Sequence, residues 1–195
     1  MATDSNRPAD RSRLQLDTEA INAAKNSATT EGVVTPAYGP WRNDILRLLN
    51  EALATELTCV MRYRRHHFTA QGVASVKIAE EFLVHANEEL GHADRIAERI
   101  VQLGGEPDFR PESLPQRSHS DYDDTPNLSE MIRSNLIAER VAIEAYRQMI
   151  ALIGDKDPTT RRLMEEILSV EEEHADELRD WLAPSSPSSS GARTE

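Results

Sequence analysis

Glu89 and His92 stand three residues apart in the segment EELGHAD, and Glu171 and His174 stand three apart in EEEHADE. Residues at that spacing are neighbours on one face of a helix, so each pair presents a carboxylate beside an imidazole. Two more carboxylates extend the pattern: Glu56 precedes Glu89 by 33 residues, and Glu139 precedes Glu171 by 32. The order Glu … Glu-x-x-His thus occurs twice. These residues fall in apolar stripes: Glu56 with Ile45, Leu49, Leu53, Val60 and Tyr63, Glu89 and His92 with Phe82, Ile96 and Leu103, and Glu171 and His174 with Ile167 and Leu178. Four inward carboxylates are costly unless they are paired or hold cations. With two imidazoles they suit two divalent first-row ions, and the oxygen and nitrogen donors fit iron or manganese rather than a thiolate zinc site. A lone Glu-x-x-His is commonly a solvated surface pair; recurrence at matched spacing carries the metal reading.

Four long helical segments must position these groups. The first runs from about Trp41 to Ala70 and the second from about Val73 to Leu103, where Gly104-Gly105 supplies a left-handed stop. The third starts at TPNLSE, with Thr125 expected as N-cap and Pro126 in the first turn, and ends at Gly154. The fourth starts at Asp157-Pro158 and ends before Pro184. Short connections make segments one and two, and three and four, antiparallel hairpins. Residues 105–125, with Pro107, Pro111 and Pro115, join the hairpins. Helices of this length span about 45 Å, a distance that an extended connection at about 3.3 Å per residue crosses with slack. The expected fold class is all-α: a four-helix bundle with one long crossover between helices two and three.

Composition agrees with that class and excludes others. Only 5% of the 195 residues are aromatic, and helix formers abound. The single cysteine, Cys59, excludes an intramolecular disulfide framework. No apolar run reaches the roughly 20 residues of a membrane span, and MATDSNRPAD lacks a signal-peptide core. A cytoplasmic location without membrane association is expected. The formal net charge of -12 argues against DNA as a partner, although Arg7, Arg11 and Arg13 sit in the N-terminal arm. Residues 1–40 read as a flexible arm, 41–183 as the bundle, and 184–195 as a disordered Ser/Pro tail.

At the six motif residues the chain resembles bacterioferritin and the related Dps-like ferritins, over about Trp41 to Leu182. LNEALATELTCVMRY resembles that family's first helix, with Glu56 as a terminal ligand and Tyr63 as the tyrosine near the site. EELGHADRIAERI resembles its second-helix motif, with Glu89 bridging and His92 terminal; NLIAERVAIEAY supplies Glu139, and EEEHADELRDWL supplies Glu171 and His174. The resemblance implies a ferritin-like fold and a ferroxidase centre of two iron ions per subunit, with manganese as the alternative metal. Glu56, Glu89, His92, Glu139, Glu171 and His174 are its metal ligands, and Tyr63 joins them as a catalytic residue. It further implies oxidation of Fe(II) by dioxygen or hydrogen peroxide, and a homo-oligomeric shell that stores the ferric product. Rival readings are a non-storage di-iron or di-manganese catalase or peroxidase, and a Dps-like DNA-protecting shell.

Three departures from the family pattern shape further expectations. Leu90 stands where a haem-binding methionine follows the bridging Glu, so no haem is expected. A Ser/Pro tail stands where 24-subunit ferritins carry a fifth helix, which sets a 12-mer beside a 24-mer. Val141 stands where some Dps-like relatives carry a second cysteine, so a thiol-based centre is not expected. Among lesser residues, His85 reads as a buried, hydrogen-bonded core histidine one turn before Glu89, and Cys59 as a small core residue. Tyr63 and Tyr146 lie seven residues after Glu56 and Glu139; bonding a carboxylate, donating an electron and filling the core are all open to them. The basic cluster MRYRRHH near the end of helix one is explained by the helix dipole.

Overall fold

The computed structural model describes residues 14–27, 32–72 and 75–183, and among them every regular element is a helix. Helix α1 (Thr18–Asn26) precedes a 3-10 turn (Pro36–Tyr38). The bundle then comprises α2 (Arg42–Thr69), α3 (Ser75–Gln102), α5 (Leu128–Ile153) and α6 (Pro158–Leu182), with a short α4 (Leu114–Arg117) in the crossover. Residues 1–13 of the expected arm and the whole tail lie outside the described residues. The end of the arm region is joined to the bundle: Val34 and Tyr38 pack on its core, and the Tyr38 hydroxyl donates to Asp157 at 2.6 Å.

Helix ends follow local chemistry. Asp157 caps α6, its carboxylate accepting from the Thr160 N–H at 2.9 Å, with Pro158 in the first turn where its missing N–H is harmless. Past α3, Gly104 adopts φ 71°, which lets Gly105 N–H reach back to the Ile100 carbonyl at 2.9 Å. The expected cap at Thr125 is corrected: Asn127 caps α5, accepting from the Glu130 N–H at 3.2 Å. Thr125 is instead held in the crossover, its N–H given to Asp123 and its carbonyl taken by Arg65 at 3.1 Å.

The crossover is pinned along α2 by polar side chains. Arg62 is 2% exposed and donates to Asn135 of α5 at 2.9 Å, to Ser120 Oγ at 3.1 Å and to the Asp121 carbonyl at 2.8 Å. Arg117 donates to the Asn50 carbonyl at 2.9 Å, and Thr55 Oγ1 accepts from the His119 N–H at 3.0 Å. Arg62 is therefore a buried clamp rather than a partner of the helix dipole.

The apolar core comes in two clusters. One contains Leu49, Leu53, Ile96, Ile100, Met149, Met164 and Ile167; the other contains Cys59, Phe82, Ala86, Met131, Ala138 and Leu178. On each long helix the motif residues fall between members of the two clusters, so the site is a polar layer across the middle of the bundle.

Candidate metal centre

All six motif residues converge in that layer. Glu56, Glu89, His92, Glu139, Glu171 and His174 are each 5% exposed or less. Their donor atoms form two groups, each within 4.8 Å: Glu56, Glu89, His92 and Glu171, and Glu89, Glu139, Glu171 and His174. Glu89 and Glu171 belong to both, the arrangement expected if these two carboxylates bridge a pair of cations. His92 Nδ1 lies 3.0 Å from Glu171, 3.3 Å from Glu56 and 3.6 Å from Glu89; His174 Nδ1 lies 3.5 Å from Glu89.

The two tyrosines cross the bundle. Tyr63 on α2 donates to Glu139 Oε1 on α5, and Tyr146 on α5 donates to Glu56 Oε1 on α2. Each occupies one oxygen of a carboxylate and leaves the other for the centre. His85 is 1% exposed; its Nδ1 lies 3.2 Å from the Tyr63 hydroxyl and its Nε2 3.0 Å from Glu177. Its ring stacks on His174 at 4.1 Å between centroids. Cys59 is buried in the core beside Arg62. Glu165, Glu166, Glu172 and Glu173 face outward, with Glu166 and Glu172 paired to Arg95 and Arg147.

Without cations, protons neutralise the layer. Burial, then the charge on Glu89, pushes the Glu56 carboxyl up to about 8. Burial and the charges of Glu89, Glu56 and Glu139 hold Glu171 well above the carboxylate range. Burial also opposes the charge on Glu89, but the nearby imidazoles of His174 and His92, with the Glu56 carboxyl, outweigh it and keep that carboxyl low. For the histidines burial is likewise outweighed: Glu56 and Glu89 raise His92 to about 10, and Glu89 and Glu139 raise His174 to about 9.

Both Glu89 oxygens, Glu139 Oε2, Glu171 Oε1 and His174 Nδ1 are buried without a hydrogen bond among the described residues. Buried polar atoms left unpaired are destabilising, and oxygen and nitrogen lone pairs converging at this spacing are what hard and borderline divalent ions take. The residues present therefore fit a two-cation centre. Spacing pointed to these six; it did not show which tyrosine serves which carboxylate. Nor did it show that Glu88, whose Oε2 lies 2.8 Å from His174 Nε2, stands behind that histidine. The one hint of it in the sequence is the adjacency of Glu88 to Glu89.

The comparisons with known proteins agree with the fold. A ferritin-like domain model matches residues 46–184. Bacterioferritin of Mycobacterium leprae is 31% identical over 141 residues, 72% of this chain and 84% of that protein. A nutrient stress-induced DNA-binding protein of Synechococcus is 32% identical over 141 residues, 71% of this chain and 80% of that one. Among solved structures, a dodecameric thioferritin, the bacterioferritin-related protein of Bacteroides fragilis, has TM-score 0.70 at 27% identity and covers 85% of this chain and 93% of its own. No described helix is long and apolar enough to cross a membrane. With the matched domain spanning all but the first turn of the bundle and the six-residue layer at its centre, the chain belongs to the ferritin-like family.

Proposed function

We propose that this protein oxidises Fe(II) to Fe(III) with dioxygen or hydrogen peroxide at the centre inside each subunit, and stores the product in a homo-oligomeric shell. The observation that carries this reading is the pair of overlapping donor groups with Glu89 and Glu171 in common. Fe(II) is the substrate, and with dioxygen as two-electron acceptor two Fe(II) yield two Fe(III) and one hydrogen peroxide after uptake of two protons. Glu89 and Glu171 are assigned as bridging carboxylates, Glu56 and Glu139 as terminal ones, and His92 and His174 as terminal nitrogen donors.

The chain's own contribution is preorganisation. Tyr63 holds Oε1 of Glu139 and Tyr146 holds Oε1 of Glu56, so the second oxygen of each carboxylate faces the layer before metal arrives. Tyr63 is thus a positioning residue for Glu139. The two apolar clusters exclude bulk water from both ends of the layer. A 12-subunit shell is favoured over 24, because the dodecameric Bacteroides fragilis protein matches 85% of this chain, more than the bundle alone makes up.

The test is stepwise addition of Fe(II) in air to metal-free protein, followed by sizing and measurement of iron retained per chain. Many irons per chain in a large assembly are expected. Saturation near two would move the function to a non-storage redox enzyme. Glu89→Ala and His92→Ala are expected to abolish fast Fe(II) oxidation with helical content intact; undiminished oxidation in either would refute the site.

A further inference from the structure

Helix α1 is built the wrong way round for a helix that serves only its own chain. Its half-buried positions are the small residues Ala20 and Ala24, with Ser27 just past its end, and it packs on the 3-10 turn Pro36–Tyr38. The large residues are left outside: Leu14, Leu16 and Ile21 are 107%, 84% and 52% exposed, and no residue of α1 is buried. Leu16 and Ile21 stand just before the Asp17 cap and four residues after it, the two positions that commonly form an apolar knob at a helix start. A helix of nine residues does not hold itself in water, so its order comes from packing, and small side chains on a three-residue turn supply little.

A matching surface lies between α2 and α5. Two cavities of about 340 and 350 Å³ share Leu48 and Leu152 and so form one groove on the flank of the bundle. Trp41 and Ile45 line one end, Val141 and Met149 the other, and Leu152 between them is 59% exposed. From Val141 to Leu152 the groove follows roughly 16 Å of α5, and α1 is roughly 14 Å long.

Charge gives the docking a direction. Asp17 and Glu19 stand at the start of α1 and Lys25 at its end. At the Trp41 end of the groove Lys156 lies over the Trp41 ring and donates to the Leu152 carbonyl at 2.7 Å; at the other end Glu144 accepts from the Gln148 amide at 2.7 Å. The acidic start of α1 thus matches Lys156, and its basic end matches Glu144.

The chain does not fill its own groove, since Ile21 and Leu152 are both left exposed. Val34 on the core and the Tyr38 hydroxyl on Asp157 fix where the arm leaves the bundle. We propose that α1 docks in the α2–α5 groove of a second copy, an exchange of arms that staples neighbouring subunits. Each chain brings one arm and one groove, so a closed assembly leaves neither unpaired. The inference rests on the homo-oligomeric reading above.

The experiment uses the full-length chain with Cys59→Ser, so that introduced thiols are the only ones. Chains carrying Ile21→Cys are co-assembled with differently tagged chains carrying Leu152→Cys and mildly oxidised. Disulfide-linked pairs of the two tags are expected, and Asp180→Cys on α6 in place of Leu152→Cys should give none. Leu14→Ser, Leu16→Ser and Ile21→Ser together should leave the bundle folded by circular dichroism, because all three are exposed in the single chain. On sizing they should raise the concentration at which the assembly dissociates by at least about tenfold. A link formed only when both cysteines sit on one chain would place the arm in its own groove. No link, with undiminished assembly of the triple variant, would take the arm out of the contact between copies. Either result overturns the exchange while the shell stands. An unaltered protein that runs as a single chain would overturn the shell, and the exchange with it.

Discussion

Glu56→Gln should make the metal-free protein more stable, by an amount that depends on pH in a defined way. In the unfolded chain Glu56 titrates near its ordinary 4.5, and in the folded chain near 8. Because the folded value is the higher, its contribution is fully present below pH 4.5 and is lost as pH rises through 8. Between those limits the unfolded chain has released a proton that the folded chain must take back, at about 1.4 kcal/mol per pH unit. At pH 7 this disfavours folding of the wild type by about 3 kcal/mol, and above pH 8 by about 5 kcal/mol. Glutamine has no such proton, keeps an acceptor for the Tyr146 hydroxyl, and offers an N–H toward Glu89 where protonated Glu56 offers its O–H, but gives up the contact that Glu56 Oε2 makes with His92 Nδ1 at 3.3 Å. The assay is urea unfolding of both proteins in chelator at pH 5, 6, 7 and 8, followed by circular dichroism. The readout is the difference between the two proteins, since dissociation of an assembly is common to both. The advantage of the variant should rise steadily with pH and level off above 8, and saturating Co(II) should reverse the order. A difference that stayed flat over this range would refute the reasoning.

Other perturbations have equally definite outcomes. Asp157→Ala removes the cap of α6, the acceptor of the Tyr38 hydroxyl and the partner of buried Arg99, whose Nη2 lies 3.0 Å from the carboxylate. Leaving that charge unpaired should cost about 3–5 kcal/mol and lower Tm by roughly 6–20 °C in calorimetry, with Asp157→Asn recovering part of it. Arg62→Met strands Asn135, Ser120 and the Asp121 carbonyl and should cost about 2–4 kcal/mol, with faster protease cleavage in the crossover at native temperature. Uptake of Co(II) at pH 7 should release at least two protons per chain to an indicator dye, because His92 near 10, His174 near 9 and Glu56 near 8 hold theirs until a cation replaces them. Apparent affinity should therefore rise with pH, and uptake without proton release would contradict the charge pattern of the layer.

The parts of this molecule legible in sequence are those governed by chemistry within one helix or one turn. Spacing along a helix put Glu89 beside His92 and Glu171 beside His174, and Asp157-Pro158 and Gly104-Gly105 marked ends that the structure keeps. What spacing cannot supply is the partner across the bundle. Thr125 and Asn127 are both good caps, and the choice between them is made by Asp123 and Arg65, which hold Thr125 in the crossover. Arg62 looks like a surface cation in the run MRYRRHH until the crossover folds over it. The exchange of tyrosines between hairpins is invisible for the same reason: Tyr63 follows Glu56 on its own helix but bonds Glu139 on another.

The separation of the apolar core into two clusters has a mechanical meaning. Each cluster holds its end of the four helices together, while the middle, where Glu56, Glu89, Glu139 and Glu171 meet, is joined without metal mainly by protons and two tyrosine hydroxyls. Cations placed there would act as rivets through all four helices at mid-span, where packing offers least. Amide hydrogens in the central turns should accordingly exchange faster than those at either end when the metal is stripped, and the whole span should open as one unit when it is loaded.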